Sequence, residues 1–195
     1  MHEIGQIIRL QIQVDSLKSG ERPYQIYSPA NIRPVTTLRL TPQGVAGVQA
    51  DGTTLLDAHH ESHHARKNRG DNGVSVNFTS HYGRIQERFG ERLVMGCAGE
   101  NILVETAESF SLDQLGDYLH IQTASGDTIT LHQVSVAAPC EPFSRYCLDM
   151  GARPPAVVMK ATLQFLDNGT RGFYATLVGE TARIQVGDRV FFDNR

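Results

Sequence analysis

Polar and apolar residues alternate along much of this chain, with the period of two that marks strands half-buried on one face. The opening stretch "IIRLQIQV" places Ile8, Leu10, Ile12 and Val14 on one side. "TTLRL" runs into the turn signal Thr41-Pro42-Gln43-Gly44, and "GVSVNFTS" alternates Val74, Val76 and Phe78. "ENILVE" puts Ile102 and Val104 together, and "DYLHIQTASGDTITLHQVSV" reads as two strands joined by a turn at Ser125-Gly126-Asp127. "RGFYATLVG" and "DRVFF" add two more near the end. Helical spacing is rarer. "SHYGRIQERFGERL" aligns Tyr82, Ile85, Gln86 and Phe89 with Ser80 placed to cap, and "PPAVVMKATLQFL" starts on prolines suited to a first turn and ends before Asp167-Asn168-Gly169. The glycines and the Pro154-Pro155 pair imply loops around residues 149–155. Many short strands with a few short helices predict a mainly β fold, a closed or partly open β-barrel. We expect one domain over residues 1–195, with 1–43 as its opening strands.

Composition supports this reading. The chain has 195 residues, 40 % hydrophobic and 20 % charged, enough apolar material for a buried core. Its apolar runs are too short to cross a bilayer, and the N-terminus lacks the basic region and cleavage site of an export signal, so no membrane association is expected. The net charge of −3, with scattered Lys and Arg, gives no basic face for nucleic acid. Three cysteines, Cys97, Cys140 and Cys147, form no paired framework. A cytoplasmic protein with reduced thiols is expected.

Two stretches carry candidate chemistry. "LLDAHHESHHARK" crowds four of the eight histidines into six positions and contains His60-Glu61-Ser62-His63-His64, an H-E-x-x-H pattern. A zinc peptidase needs such histidines one helical turn apart with a glutamate between them to activate water. The flanks offer little apolar stripe for a helix and no third ligand stands out, so a histidine-bearing loop lining another site is the stronger expectation. In "VSVAAPCEPF" a β-branched strand delivers Cys140 between two prolines. A thiol at a strand end can act as a nucleophile or soft-metal ligand; a small buried hydrophobe is the alternative.

Taken in order, these segments resemble the MOSC family, the molybdenum-cofactor sulfurase C-terminal domain, and most closely its short stand-alone bacterial members. The likeness runs from about residue 44 to 192. It comprises "GVAGVQADG", the pair His59-His60, "GVSVNFTSHYGRIQERFG", "GCAGENILVE" with Gly96, Gly99, Glu100 and Asn101, "LDQLGDYLHI", "VSVAAPCEPF", and "GTRGFYATLVGETARIQVGDRVFF". Members typically follow the histidine pair with two glycines, where this chain has Glu61-Ser62. The resemblance implies a MOSC-like barrel that binds molybdenum cofactor (molybdopterin). Cys140 would be its catalytic thiol, as a molybdenum ligand or a persulfide sulfur carrier. It further implies His59, His60, Glu100, Asn101 and Arg171 as cofactor-binding residues; a surface arginine is the alternative for Arg171. Reduction of N-hydroxylated compounds follows as an activity of some relatives, with electrons from a donor protein. A non-catalytic cofactor-delivery module is the other reading, and the zinc peptidase a third.

Overall fold

The computed structural model describes residues 1–66, 73–150 and 154–193. Residues 67–72, flanking the histidine-rich stretch, and 151–153, within the expected loop, lie outside the described part. Strand β1 (His2–Gln13) leads to a short hairpin, β2 (Lys18–Ser19) and β3 (Ile26–Tyr27), and then to β4 (Ile32–Val35). Next come β5 (Thr37–Thr41), β6 (Gly44–Val48) and β7 (Thr54–Leu56). Strand β8 (Val74–Phe78) runs directly into helix α1 (Thr79–Phe89), and β9 (Ile102–Glu105) follows. Helix α2 (Leu112–Leu115) precedes the hairpin of β10 (Tyr118–Gln122) and β11 (Thr128–Val136). Helices α3 (Glu141–Leu148) and α4 (Ala156–Leu166) come before β12 (Phe173–Leu177), β13 (Ala182–Gln185) and β14 (Arg189–Phe192).

Seven strands close into a barrel in the order β14-β10-β11-β12-β8-β9-β1, sealed by antiparallel pairing of β1 with β14. Closure removes the unpaired strand edges that an open sheet would expose. The pair β8–β9 is parallel, and parallel neighbours need a crossover, which α1 supplies. A second sheet, β13-β5-β6-β7, packs into the same core. Its Leu38, Leu40, Val45 and Ile184 join Ile7, Leu10, Phe78, Val104 and Phe173 of the barrel. Tyr82, Ile85, Phe143, Cys147 and Leu166 form a second apolar cluster where α1, α3 and α4 meet. Each such buried side chain contributes about 1.5–3 kcal/mol, so the helices are held by this packing. Among the described residues no helix is long and apolar enough to cross a membrane.

The barrel and the expected hairpins match the alternation in the sequence, with three departures. The even spacing of Ile8, Leu10, Ile12 and Val14 breaks inside β1. The register with β9 shifts between Ile7 and Arg9, leaving Ile7 sealed in the core and Ile8 37 % exposed. A bulge inserts one unpaired residue and flips the faces that follow. Ser80 does not cap α1. The helix begins at Thr79, and the Ser80 hydroxyl donates to the Glu108 carbonyl. Helices α2 and α3 were not expected, and each begins where a local device supports it. Ser111 and Gln114 form a capping box for α2, and Pro142 sits in the first turn of α3.

Candidate functional site

A cleft of about 230 Å³ is lined by the end of β1, the β2–β3 hairpin, the histidine loop, the turn before β9, and residues 171–174. Lys18, Arg22, Arg66 and Arg171 place four cationic side chains around it, and His59 and Glu100 also line it. A protein of net negative charge thus collects positive charge at one concave place, which favours an anionic ligand.

Glu100 is the acid of this site. Gly99 ahead of it adopts φ +83°, and a Cβ there would lie 2.7 Å from both Gln13 Nε2 and Leu17 Cδ1, so only glycine fits the turn. Gln13 Nε2 also donates to the Gly99 carbonyl at 2.7 Å, tying the turn to β1. The Glu100 side chain is 4 % exposed. Its Oε2 accepts from the Tyr82 hydroxyl at 3.0 Å, and that hydroxyl accepts from Ala98 N–H at 3.0 Å. Its Oε1 has no hydrogen-bond partner. Burial pushes the carboxyl up to about 7, against the lowering by its own backbone amide, Tyr82 and Arg171. A carboxyl titrating near neutrality can hold or release a proton there.

The histidine loop is organised by a residue that the sequence patterns did not single out. Asp57 is 1 % exposed. Its Oδ2 accepts from Gln13 N–H at 2.8 Å and Asn101 Nδ2 at 3.0 Å, and its Oδ1 accepts from His59 N–H at 2.9 Å. His59 Nδ1 lies 2.9 Å from the same oxygen. Burial disfavours the charge of Asp57, but the His59 contacts and the Gln13 amide outweigh it and hold the pKa below the ordinary value. His59 projects 54 % exposed along the cleft wall. His60 is 8 % exposed, and its Nδ1 accepts from Ser62 N–H at 3.1 Å. Asn101 is buried in structural bonding. Its Oδ1 accepts from Ser75 N–H and Oγ, and its Nδ2 also donates to the Gln11 carbonyl.

Arg171 is half-buried, stacked over the Phe143 ring at 5.4 Å, and its Nε has no hydrogen-bond partner. Burial opposes its charge, but Tyr174, Cys140 and Tyr27 outweigh that and raise its pKa. Cys140 ends the strand-to-helix connection as the N-cap of α3, half-buried, a free thiol in electrostatic reach of Arg171. It packs partly against the helical cluster and does not line the cleft itself. Cys97 and Cys147 are buried, and burial pushes both thiols up to about 12.

Of the expected residues, His59, Glu100 and Arg171 share the cleft, Cys140 stands at its side, and His60 and Asn101 point into structural contacts. The peptidase pattern has no physical basis here. His60 to His64 lie in turns, not on a helix, so the spacing does not put two rings on one helical face. Among the described residues no three His, Cys, Asp or Glu side chains cluster as metal ligands. Sequence reasoning missed Asp57, Tyr82 and the cations Lys18 and Arg22. Asp57 directly follows the apolar pair Leu55-Leu56, which the structure shows to end strand β7, and an acid at such a place is the one signal available.

A closed barrel with this motif-bearing cleft defines a class. Residues 58–191 match the MOSC domain, and the chain belongs to that family. Its fold is similar to the YUAD protein from Bacillus subtilis, with a TM-score of 0.50, 15 % identity, and coverage of 94 % of this chain and 96 % of that one. It is also similar to YiiM from Geobacillus stearothermophilus, with a TM-score of 0.52 and 18 % identity over 97 % of this chain and 75 % of that one. YiiM from Escherichia coli gives a TM-score of 0.50 and 16 % identity over 84 % of this chain and 65 % of that one. At these identities the likeness is one of fold. No curated protein matches the sequence.

Proposed function

We propose that the cleft binds molybdenum cofactor and that Cys140 serves it as a molybdenum ligand or as the carrier of a transferable sulfur. The observation that carries this reading is a pair of buried polar atoms without partners, Glu100 Oε1 and Arg171 Nε, in the wall of a cationic cleft. A buried group left unpaired costs about 1–3 kcal/mol, so such atoms point to a ligand that completes them. The residues present suit this cofactor. Arg171, Lys18 and Arg22 match an anionic phosphate, and a thiolate is the soft donor that molybdenum favours. When bound, the cofactor supplies a metal centre able to exchange electrons and an oxygen atom with a substrate such as an N-hydroxylated compound.

The chain's own residues do the rest. Arg171 binds and orients the anionic end, and Glu100 holds a proton at its carboxyl near neutral pH. Cys140 presents sulfur from the N-cap of α3, and a reducing compartment such as the cytoplasm keeps it a thiol. Electrons come from a partner protein. The test is to purify the protein and Cys140→Ala from cells that make the cofactor, then measure molybdenum, pterin fluorescence and labile sulfur. Wild type should carry pterin with molybdenum or labile sulfur, and the variant should lose the metal or the sulfur while circular dichroism stays unchanged. Equal contents in both would refute the role of Cys140. Turnover of a hydroxylamine with a reconstituted electron donor would then separate a reductase from a delivery module.

A further inference from the structure

We infer that Asp57 is a positioning residue that locks His59 as its Nδ1–H tautomer and leaves ring nitrogen Nε2 open at the cleft wall to accept a hydrogen bond from a ligand. The carboxylate cannot rotate. Each of its oxygens takes two donors, and these come from separate parts of the fold: Gln13 in β1, Asn101 before β9, and His59 in the loop. Asn101 is itself held by Ser75, so the anchor extends to β8. An ionised carboxylate only accepts, so the nitrogen 2.9 Å away must carry the proton. A neutral His59 ring then has its lone pair on Nε2, and no described residue bonds that atom.

The neighbouring histidines make the arrangement specific. His60 Nδ1 accepts from Ser62 N–H at 3.1 Å, and His63 Nδ1 accepts from Ala65 N–H at 3.0 Å. Both rings therefore carry their proton on Nε2 when neutral. That ring-to-amide contact, two residues on, is the local pattern of this loop. His59 departs from it because a buried carboxylate reverses the ring's polarity, as outer-shell acids do for functional imidazoles. The ligand class is one that presents a proton to Nε2, such as a protonated phosphate or an N–OH group.

The inference rests on the cleft being the ligand site, and its test can fail separately. Imidazole 15N–1H correlation spectra of the labelled protein, assigned with His59→Gln, report each tautomer directly. In wild type above the ring's titration, His59 should show a protonated Nδ1, with His60 and His63 showing a protonated Nε2 as internal references. A protonated Nε2 on His59 in wild type would overturn the inference, and this measurement needs no variant to fold. In Asp57→Ala, which leaves no acceptor beside the ring, His59 should lose its preference for Nδ1–H. An unchanged His59 spectrum in that variant would also overturn it. Pterin retained on purification should drop by about tenfold in Asp57→Ala and in His59→Gln alike. Loss in His59→Gln with full retention in Asp57→Ala would refute the positioning role. Wild type free of pterin would sink the cofactor proposal and leave the tautomer measurement to decide Asp57.

Discussion

Replacing Glu100 with glutamine removes a carboxyl that the fold keeps protonated at a pH where the unfolded chain ionises it. Its pKa stands at about 7 in the folded protein and at 4.5 otherwise, with burial as the main cause. Below the lower value the group is neutral in both states and has no effect on stability. Between the two, the unfolded state releases its proton while the folded state holds it, so folding becomes steadily less favourable as pH rises. Above the upper value the cost is complete, and a difference of that size corresponds to about 3 kcal/mol. Glutamine carries no such charge and still offers an oxygen to the Tyr82 hydroxyl. Urea unfolding of cofactor-free wild type and Glu100→Gln, from about pH 4.5 to about pH 8, isolates the effect as a difference between the two proteins. The variant should gain stability over wild type through that range and then level off. A difference independent of pH would refute the reasoning and mean that water or a neighbouring cation solvates the carboxylate.

His81 supplies the opposite slope. It is 1 % exposed, its Nε2 accepts from Phe110 N–H at 3.1 Å, and burial lowers its pKa from 6.5 to about 4. Above the upper value the ring is neutral in both states. As pH falls through the window the unfolded chain takes up a proton that the fold refuses, at a cost reaching about 3 kcal/mol. His81→Gln should abolish this acid loss in the same unfolding series, with Glu100 still present. Gly172→Ala should destabilise by about 1–3 kcal/mol, because φ there is +110° and the added Cβ would meet the Val76 carbonyl oxygen at 2.7 Å. Gly179→Ala, at φ +105° with open space around it, should cost less in the same assay.

Much of the barrel could be read before any coordinates. Period-two alternation located β8, β9, β10, β11 and β12, and helical spacing located α1 and α4. What escaped was set by pairing between distant segments. Strand β1 bonds β9 on one edge and both β14 and β4 on the other, and the bulge that exchanges Ile7 for Ile8 belongs to that double pairing. Helices α2 and α3, of four and eight residues, are too short for a periodic signal. At the site, Glu100 and Arg171 were found through motifs, whereas Asp57 stood out only once its four hydrogen bonds were visible.

The sequence alone determined which segments become the seven strands of the barrel, because alternation and turn residues act over a few positions. It also determined which side chains could bear chemistry: a thiol after a strand, an acid after a glycine turn, a cluster of imidazoles. Only the tertiary structure decided which of these meet. It paired Asp57 with Asn101 across 44 positions and linked Gln13 to Gly99 across 86. It turned His59 outward while committing His60 to a backbone amide. Burial and hydrogen bonding between such distant groups set both charge and orientation, and neither is a property of local sequence.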